Sequence, residues 1–244
     1  MRDADNDRVA IVTGASRGIG AAVAERLAED GFTVMLSYSG DAAAAEALAR
    51  RIEARGGRAR AAGADMSDPE SIRALFDDAE TLFGGVDLLV NNAGIMTLSN
   101  VVCTDELTFE RLVNGNLRGL FNSLREAANR LRDGGRFIYF SAGVVGLLQP
   151  THGVYDATKA AVEAMTNILA KELRGGAFGI DAGSFAANPS LKRKPSDFAP
   201  RMAELMANEE PRQPDDIAGA VAVLARCNGV WTKGRPCRQG AGAA

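Results

Sequence analysis

Thr13-Gly14-Ala15-Ser16-Arg17-Gly18-Ile19-Gly20 stands between a short apolar run that begins at Val9 and an amphipathic stretch that reaches Asp30. The order strand, glycine-rich turn, helix sets the expectation for the whole chain. Glycines in such a turn allow positive φ and let the backbone approach a ligand closely. The N-terminus of the helix behind them offers free N–H groups and partial positive charge, which suits a pyrophosphate. A glycine cluster alone also serves plain turns. Its place after the first strand is what a dinucleotide motif requires. Gly14, Ser16, Arg17, Gly18, Ile19 and Gly20 are therefore the expected phosphate-side residues.

Working outward, the runs Val9–Thr13, Thr33–Ser37, Arg58–Ala62, Val86–Asn91 and Arg136–Ser141 read as strands. They are apolar nearly throughout rather than alternating, as parallel strands covered on both faces are. Helical patterns occupy Gly18–Asp30, Asp41–Arg55, Asp68–Phe83, Asp105–Arg132, Val154–Leu173 and Pro214–Arg226. Ala177–Ala182 and Gly234–Arg238 supply two further short strands, and the proline-punctuated Ser184–Arg201 reads as a loop. The pattern predicts an α/β fold: one Rossmann-type doubly wound parallel sheet of about seven strands, with helices on both faces. Residues 1–244 form a single domain on this reading, with a substrate-loop region at about 184–210.

Composition removes several function classes. The net charge of −3 is spread without blocks of one sign, which argues against nucleic acid or an anionic membrane surface as partner. Three cysteines and one histidine are too few for a disulfide framework or a metal centre, so no metal is expected. No apolar run approaches the ~18–20 residues that span a bilayer, and the charged start MRDADNDR lacks an apolar signal core. The expected location is the cytoplasm.

The second strand ends Leu36-Ser37-Tyr38-Ser39, with no acid before Asp41. An NAD site usually has an acid there for the ribose hydroxyls. Arg17 can instead offer a guanidinium fork to a 2′-phosphate, so NADP(H) is expected rather than NAD(H). Tyr155-Asp156-Ala157-Thr158-Lys159 places a phenol and an ammonium on one helix face, ~6 Å apart along the axis. A phenol ordinarily titrates near 10, and a neighbouring ammonium favours its ionised form. The pair suits proton donation to a carbonyl oxygen that receives hydride, or the reverse. On a solvated helix, the same spacing is an ordinary surface pair. His152 and the cysteines read as structural.

Six features, in order and each at the expected element, resemble the short-chain dehydrogenase/reductase family in the branch that includes 3-oxoacyl-acyl-carrier-protein reductases. They are Thr13–Gly20, Asp65 with Met66 after the third strand, Asn91-Asn92-Ala93-Gly94 after the fourth, Asn116, Ser141, and Tyr155-x-x-x-Lys159. The resemblance implies Tyr155 as general acid/base. It implies Lys159 on the nicotinamide ribose, Ser141 on the substrate carbonyl and Asn116 holding a water in the proton relay. Asp65 and Met66 would meet the adenine, Ser37, Tyr38 and Ser39 the adenosine ribose side, and Asn92, Ala93 and Gly94 would lie along the cofactor. It further implies a small carbonyl or alcohol substrate and a homo-oligomer, tetramer or dimer.

Two departures stand out. Ser141 lies fourteen residues before Tyr155, where the family usually has thirteen, and Ala142 occupies that spacing. After the sixth strand, Phe185-Ala186 replaces the family's Pro-Gly, and the basic triplet Lys192-Arg193-Lys194 follows. Two functions stay open: a carbonyl reductase or alcohol dehydrogenase, and a weak or inactive relative that binds NADP(H) as a sensor or structural partner. Met96, Leu147, Leu148 and Phe185 suggest a partly apolar substrate pocket.

Overall fold

The computed structural model describes residues 8–141, 149–172 and 213–226, together with the backbone of 176–181 and 236–238. Seven parallel strands form one sheet in the order β3-β2-β1-β4-β5-β6-β7. In chain order these are β1 Val9–Val12, β2 Thr33–Tyr38, β3 Arg58–Gly63, β4 Val86–Asn91, β5 Leu131–Ser141, β6 Gly176–Asp181 and β7 Pro236–Arg238. The helices are α1 Gly18–Glu29, α2 Ala42–Ala54, α3 Pro69–Phe83, α4 Glu106–Leu112, α5 Gly119–Arg130, α6 Gly153–Glu172 and α7 Pro214–Arg226. Strand order reverses between β1 and β4, so a crevice opens outside their carboxyl ends, where open α/β sheets bind ligands.

Local chemistry explains these elements. All four residues of β1 are buried, because helices cover both faces of the sheet. In α1 the buried Ile19, Val23, Ala24 and Leu27 recur at three- and four-residue spacing. The carboxylate of Asp41 caps α2 by accepting from the Ala44 amide at 3.0 Å. Helix α3 starts with Asp68 as cap and Pro69 in its first turn, and ends at Gly84 with φ 84°. One core joins α1, α2 and α7 to the sheet through Val23, Leu27, Leu48, Val221 and Leu224. The other joins α3, α5 and α6 through Ile72, Phe76, Leu120, Leu124 and Val162.

The predicted elements are present, most with ends shifted by one or two residues. Three differ more. The stretch Asp105–Arg132, expected as one helix, is α4 and α5 joined by a wider π-turn over Val113–Arg118. Strand β5 starts at Leu131 rather than Arg136, pairing Leu131 with Val86 before the register shifts at Leu88. The last strand is three residues long. The loop expected at Ser184–Arg201, with the Phe185-Ala186 departure, the basic triplet, and Leu147 and Leu148, lies outside the described residues. Among the described residues no helix is long and apolar enough to cross a membrane, and no cluster of His, Cys, Asp or Glu could hold a metal.

Candidate active site

The glycine loop leaves β1 at its carboxyl end and enters α1. Gly14 and Gly18 take φ of 64° and 59°, which L side chains rarely adopt. At Gly20 a Cβ would overlap the Gly14 carbonyl and come within 2.6 Å of Asn92 Nδ2, so only glycine fits. Arg17 sits at the N-cap of α1 in extended conformation, with no side-chain cap on the helix. The first-turn amides thus keep their capacity for an anion.

The loop is tied to the end of β4. Asn92 Nδ2 donates to the carbonyls of Thr13 and Gly14 at 2.9 and 3.0 Å. Thr13 Oγ1 accepts from the amides of Asn92 and Ala93 at 3.1 and 3.0 Å and donates to Asn91 Oδ1 at 3.2 Å. Across the other neighbour, the Ala15 amide reaches the Ser37 carbonyl at 2.8 Å. Asn91 and Asn92 therefore build the switch-point crevice. Thr13, which sequence reasoning left out of the site, is the hub of this knot; its place at the end of β1 was the available signal.

Around the crevice, Ser37 is buried, Tyr38 half-buried against Gly63, and Ser39 exposed. Asp65 is exposed; its carboxylate accepts from the Ser67 amide and hydroxyl at 2.9 and 2.8 Å, while Asp68 caps α3. Met66 is buried, and its carbonyl accepts from Asn122 at 3.0 Å. Met96 is half-buried.

Tyr155 and Lys159 lie on α6, with the Lys159 ammonium 5.9 Å from the centre of the Tyr155 ring. Lys159 is buried and donates to the Phe140 carbonyl at 3.0 Å. Burial pulls its ammonium down to about 8. Asn116 occupies the π-turn, a distortion often found at functional sites. Its side chain accepts from the Ile95 amide at 2.8 Å and donates to the Ile95 carbonyl at 2.9 Å and to Thr158 Oγ1 at 3.2 Å. Thr158 in turn donates to the Tyr155 carbonyl at 2.7 Å. Asn116 thereby joins the segment after β4 to the turn that carries Tyr155. Gly94 completes the convergence: a Cβ there would lie 3.2 Å from Asn116 Oδ1 and 3.6 Å from Lys159 Nζ.

Ser141 ends β5 and is buried. Its hydroxyl donates to the carboxylate of Glu163, one turn beyond Lys159 on α6. Glu163 had no signal in the sequence, since the fold alone brings it to the strand end.

Residues 8–182 match the short chain dehydrogenase family. The NADPH-dependent aldehyde reductase-like protein, chloroplastic, of Arabidopsis thaliana is 38% identical over 247 residues, covering 93% of this chain and 91% of that one. The 3-oxoacyl-acyl-carrier-protein reductase of Staphylococcus aureus is 32% identical over 232 residues, covering 93% and 94%. Among solved structures, a short chain dehydrogenase from Burkholderia cenocepacia in complex with NADP superposes with a TM-score of 0.87 at 33% identity, covering 95% of each chain.

Proposed function

Because the chain belongs to the short chain dehydrogenase family, we propose that it is an NADP(H)-dependent oxidoreductase acting on a carbonyl or alcohol, with Tyr155 as general acid/base. The observation that carries this reading is the meeting of Gly94, Asn116 and Lys159 beside Tyr155 at the carboxyl edge of the sheet. The residues fit the cofactor: the Gly20 position admits no side chain, and the N-terminus of α1 has no side-chain cap. The NADP-bound Burkholderia structure and the NADPH-dependent Arabidopsis reductase support the same choice.

NADP(H), when bound, supplies or takes the hydride. The Gly14–Gly20 loop would hold its pyrophosphate, Arg17 with Ser37, Tyr38 and Ser39 its 2′-phosphate side, and Asp65 and Met66 its adenine. Asn92, Ala93 and Gly94 would line its path, and Tyr155 and Lys159 would meet its second ribose. Tyr155 donates a proton to the substrate oxygen as it becomes an alkoxide, or removes one in the reverse direction. The Lys159 charge stabilises the phenolate that remains. Asn116 holds the turn that carries Tyr155, and Ser141 stands at the substrate oxygen. Ketones, aldehydes and 3-oxoacyl thioesters form the substrate class to test.

One observation favours the second reading, NADP(H) binding with little turnover: the Ser141 proton is committed to Glu163, which leaves the hydroxyl as an acceptor. Fluorescence titration with NADPH and NADH, followed by assays over aldehydes, ketones and 3-oxoacyl thioesters, separates the two. The expected result is tighter NADPH binding, with turnover that falls at least ~100-fold in Tyr155→Phe. Binding without turnover, unchanged by that substitution, selects the second reading; no binding of either nucleotide sinks both.

A further inference from the structure

Tyr155, Lys159 and Glu163 follow one another at four-residue spacing on α6, so they form a single stripe along the helix. The stripe meets the carboxyl end of β5. Lys159 Nζ donates to the Phe140 carbonyl at 3.0 Å, and the next residue, Ser141, donates its hydroxyl proton to the Glu163 carboxylate. Two successive turns of α6 thus hold two successive residues of the strand. The acid/base step draws on Tyr155 and Lys159 and has no use for Glu163. Yet Glu163 acts on the residue placed at the substrate oxygen.

A serine hydroxyl has one proton to give and two lone pairs to receive with. A carbonyl oxygen only accepts, and it gains negative charge as hydride reaches the carbon. While its proton points at Glu163, Ser141 shows that oxygen lone pairs, and two acceptors do not bond. To serve the substrate, the hydroxyl has to turn and leave the carboxylate without its donor. Hydrogen bonds to an ionised acceptor are about twice as strong as neutral ones, so the turn is costly. Ser141 is buried and Glu163 half-buried, so water replaces the lost bond only in part.

Among the described residues, Ser141 is the one donor to Glu163. Tyr139, two residues earlier on the same face of β5, does not take its place: the phenol oxygen is buried without a hydrogen-bond partner. Burial and, after it, the Glu163 charge push that phenol up, so the carboxylate is felt along this face of the strand.

We propose that Glu163 is a positioning residue acting through Ser141: it keeps the hydroxyl proton turned toward α6 and restrains carbonyl reduction, a role that rests on Ser141 standing at the substrate oxygen. Removing the carboxylate frees the proton for the substrate. Activity then rises, which the loss of a merely structural tie would not produce.

Steady-state reduction of a panel of aldehydes and ketones with NADPH, in the full chain, tests this. Glu163→Leu should raise kcat/KM about tenfold, mostly through kcat. Glu163→Gln should raise it about threefold, because the amide oxygen still accepts but carries no charge. It carries the test alone if Glu163→Leu fails to fold. In the Ser141→Ala background either substitution should move kcat/KM by less than about twofold. If the parent binds NADPH but turns over too slowly to detect, these substitutions should bring turnover into range, and silence in both overturns the proposal. The same gain without the Ser141 hydroxyl overturns it too. Turnover that Tyr155→Phe abolishes, yet both Glu163 substitutions leave unchanged or lower, overturns the restraint and keeps the reductase reading. A chain that binds neither NADPH nor NADH overturns both.

Discussion

Lys159 holds a positive charge where burial opposes it. Its ammonium is drawn from 10.5 down to about 8 in the folded chain. Between those values the unfolded chain binds more protons than the folded one, so this group makes stability rise with pH across that window. Below it, the buried charge costs about 3 kcal/mol, offset in part by the hydrogen bond to Phe140. Lys159→Met should therefore stabilise the fold at pH 7 by about 1–2 kcal/mol while removing turnover. Urea melts of both proteins at pH 7 and pH 9.5 check this: the gap should be present at the first and nearly closed at the second. A variant less stable than the parent at pH 7 would show that the lysine is structural. The sequence placed Tyr155 and Lys159 on one face through their four-residue spacing alone. It could not show that Ser141 would spend its proton on Glu163, or that His152 would be buried, because both follow from which elements meet.

At the scale of elements, the core that joins α3 and α5 is reinforced at their ends by the charged side chain of Arg130. Arg130, at the end of α5, reaches Glu80 at 2.7 and 2.8 Å and Asp77 at 2.6 Å on α3, and lies over the Phe76 ring. These carboxylates raise the Arg130 guanidinium further above its already high value. Asp77 is well exposed, so solvent discounts the ion pairs. The half-buried geometry and the ring contact still predict a loss of about 1–2 kcal/mol for Arg130→Met, read as a lower Tm. Raising salt should narrow the difference only partly, since the stem stays buried. Helix α5 also shows where periodicity stops being informative. Apolar spacing runs smoothly from Asp105 to Arg130, yet the ladder widens at Val113–Arg118, and one inserted residue per turn leaves no mark on composition. The β5 start was hidden for a similar reason. Leu131 and Arg132 fall inside the predicted helix Asp105–Arg132, and pairing of Leu131 with Val86 across a register shift is a tertiary event.

Across the whole molecule, the doubly wound sheet was legible because its strands are apolar on both faces and its helices on one. Its outer surface carries apolar side chains that neither core absorbs. Phe109 on α4, Phe121 on α5 and Ile168 on α6 are 41%, 49% and 54% exposed. These three helices pack on one another or on the π-turn between them, so we expect the chain to self-associate through this side. Light scattering after gel filtration should give a mass above one chain for the parent. Phe121→Glu with Ile168→Glu should shift it toward one chain without loss of helix signal. A parent that runs as one chain at micromolar concentration would refute the expectation.

The knot of Thr13, Asn92 and the Gly14 carbonyl has a thermodynamic consequence. These bonds are internal to the protein and join the ends of β1 and β4, so the loop takes its shape when the sheet forms. The ordering entropy of the crevice is settled once, at folding, and does not recur each time a nucleotide arrives. Nucleotide affinity and global stability then draw on the same contacts. Anything that loosens the knot weakens both together, and saturating nucleotide restores the second by mass action.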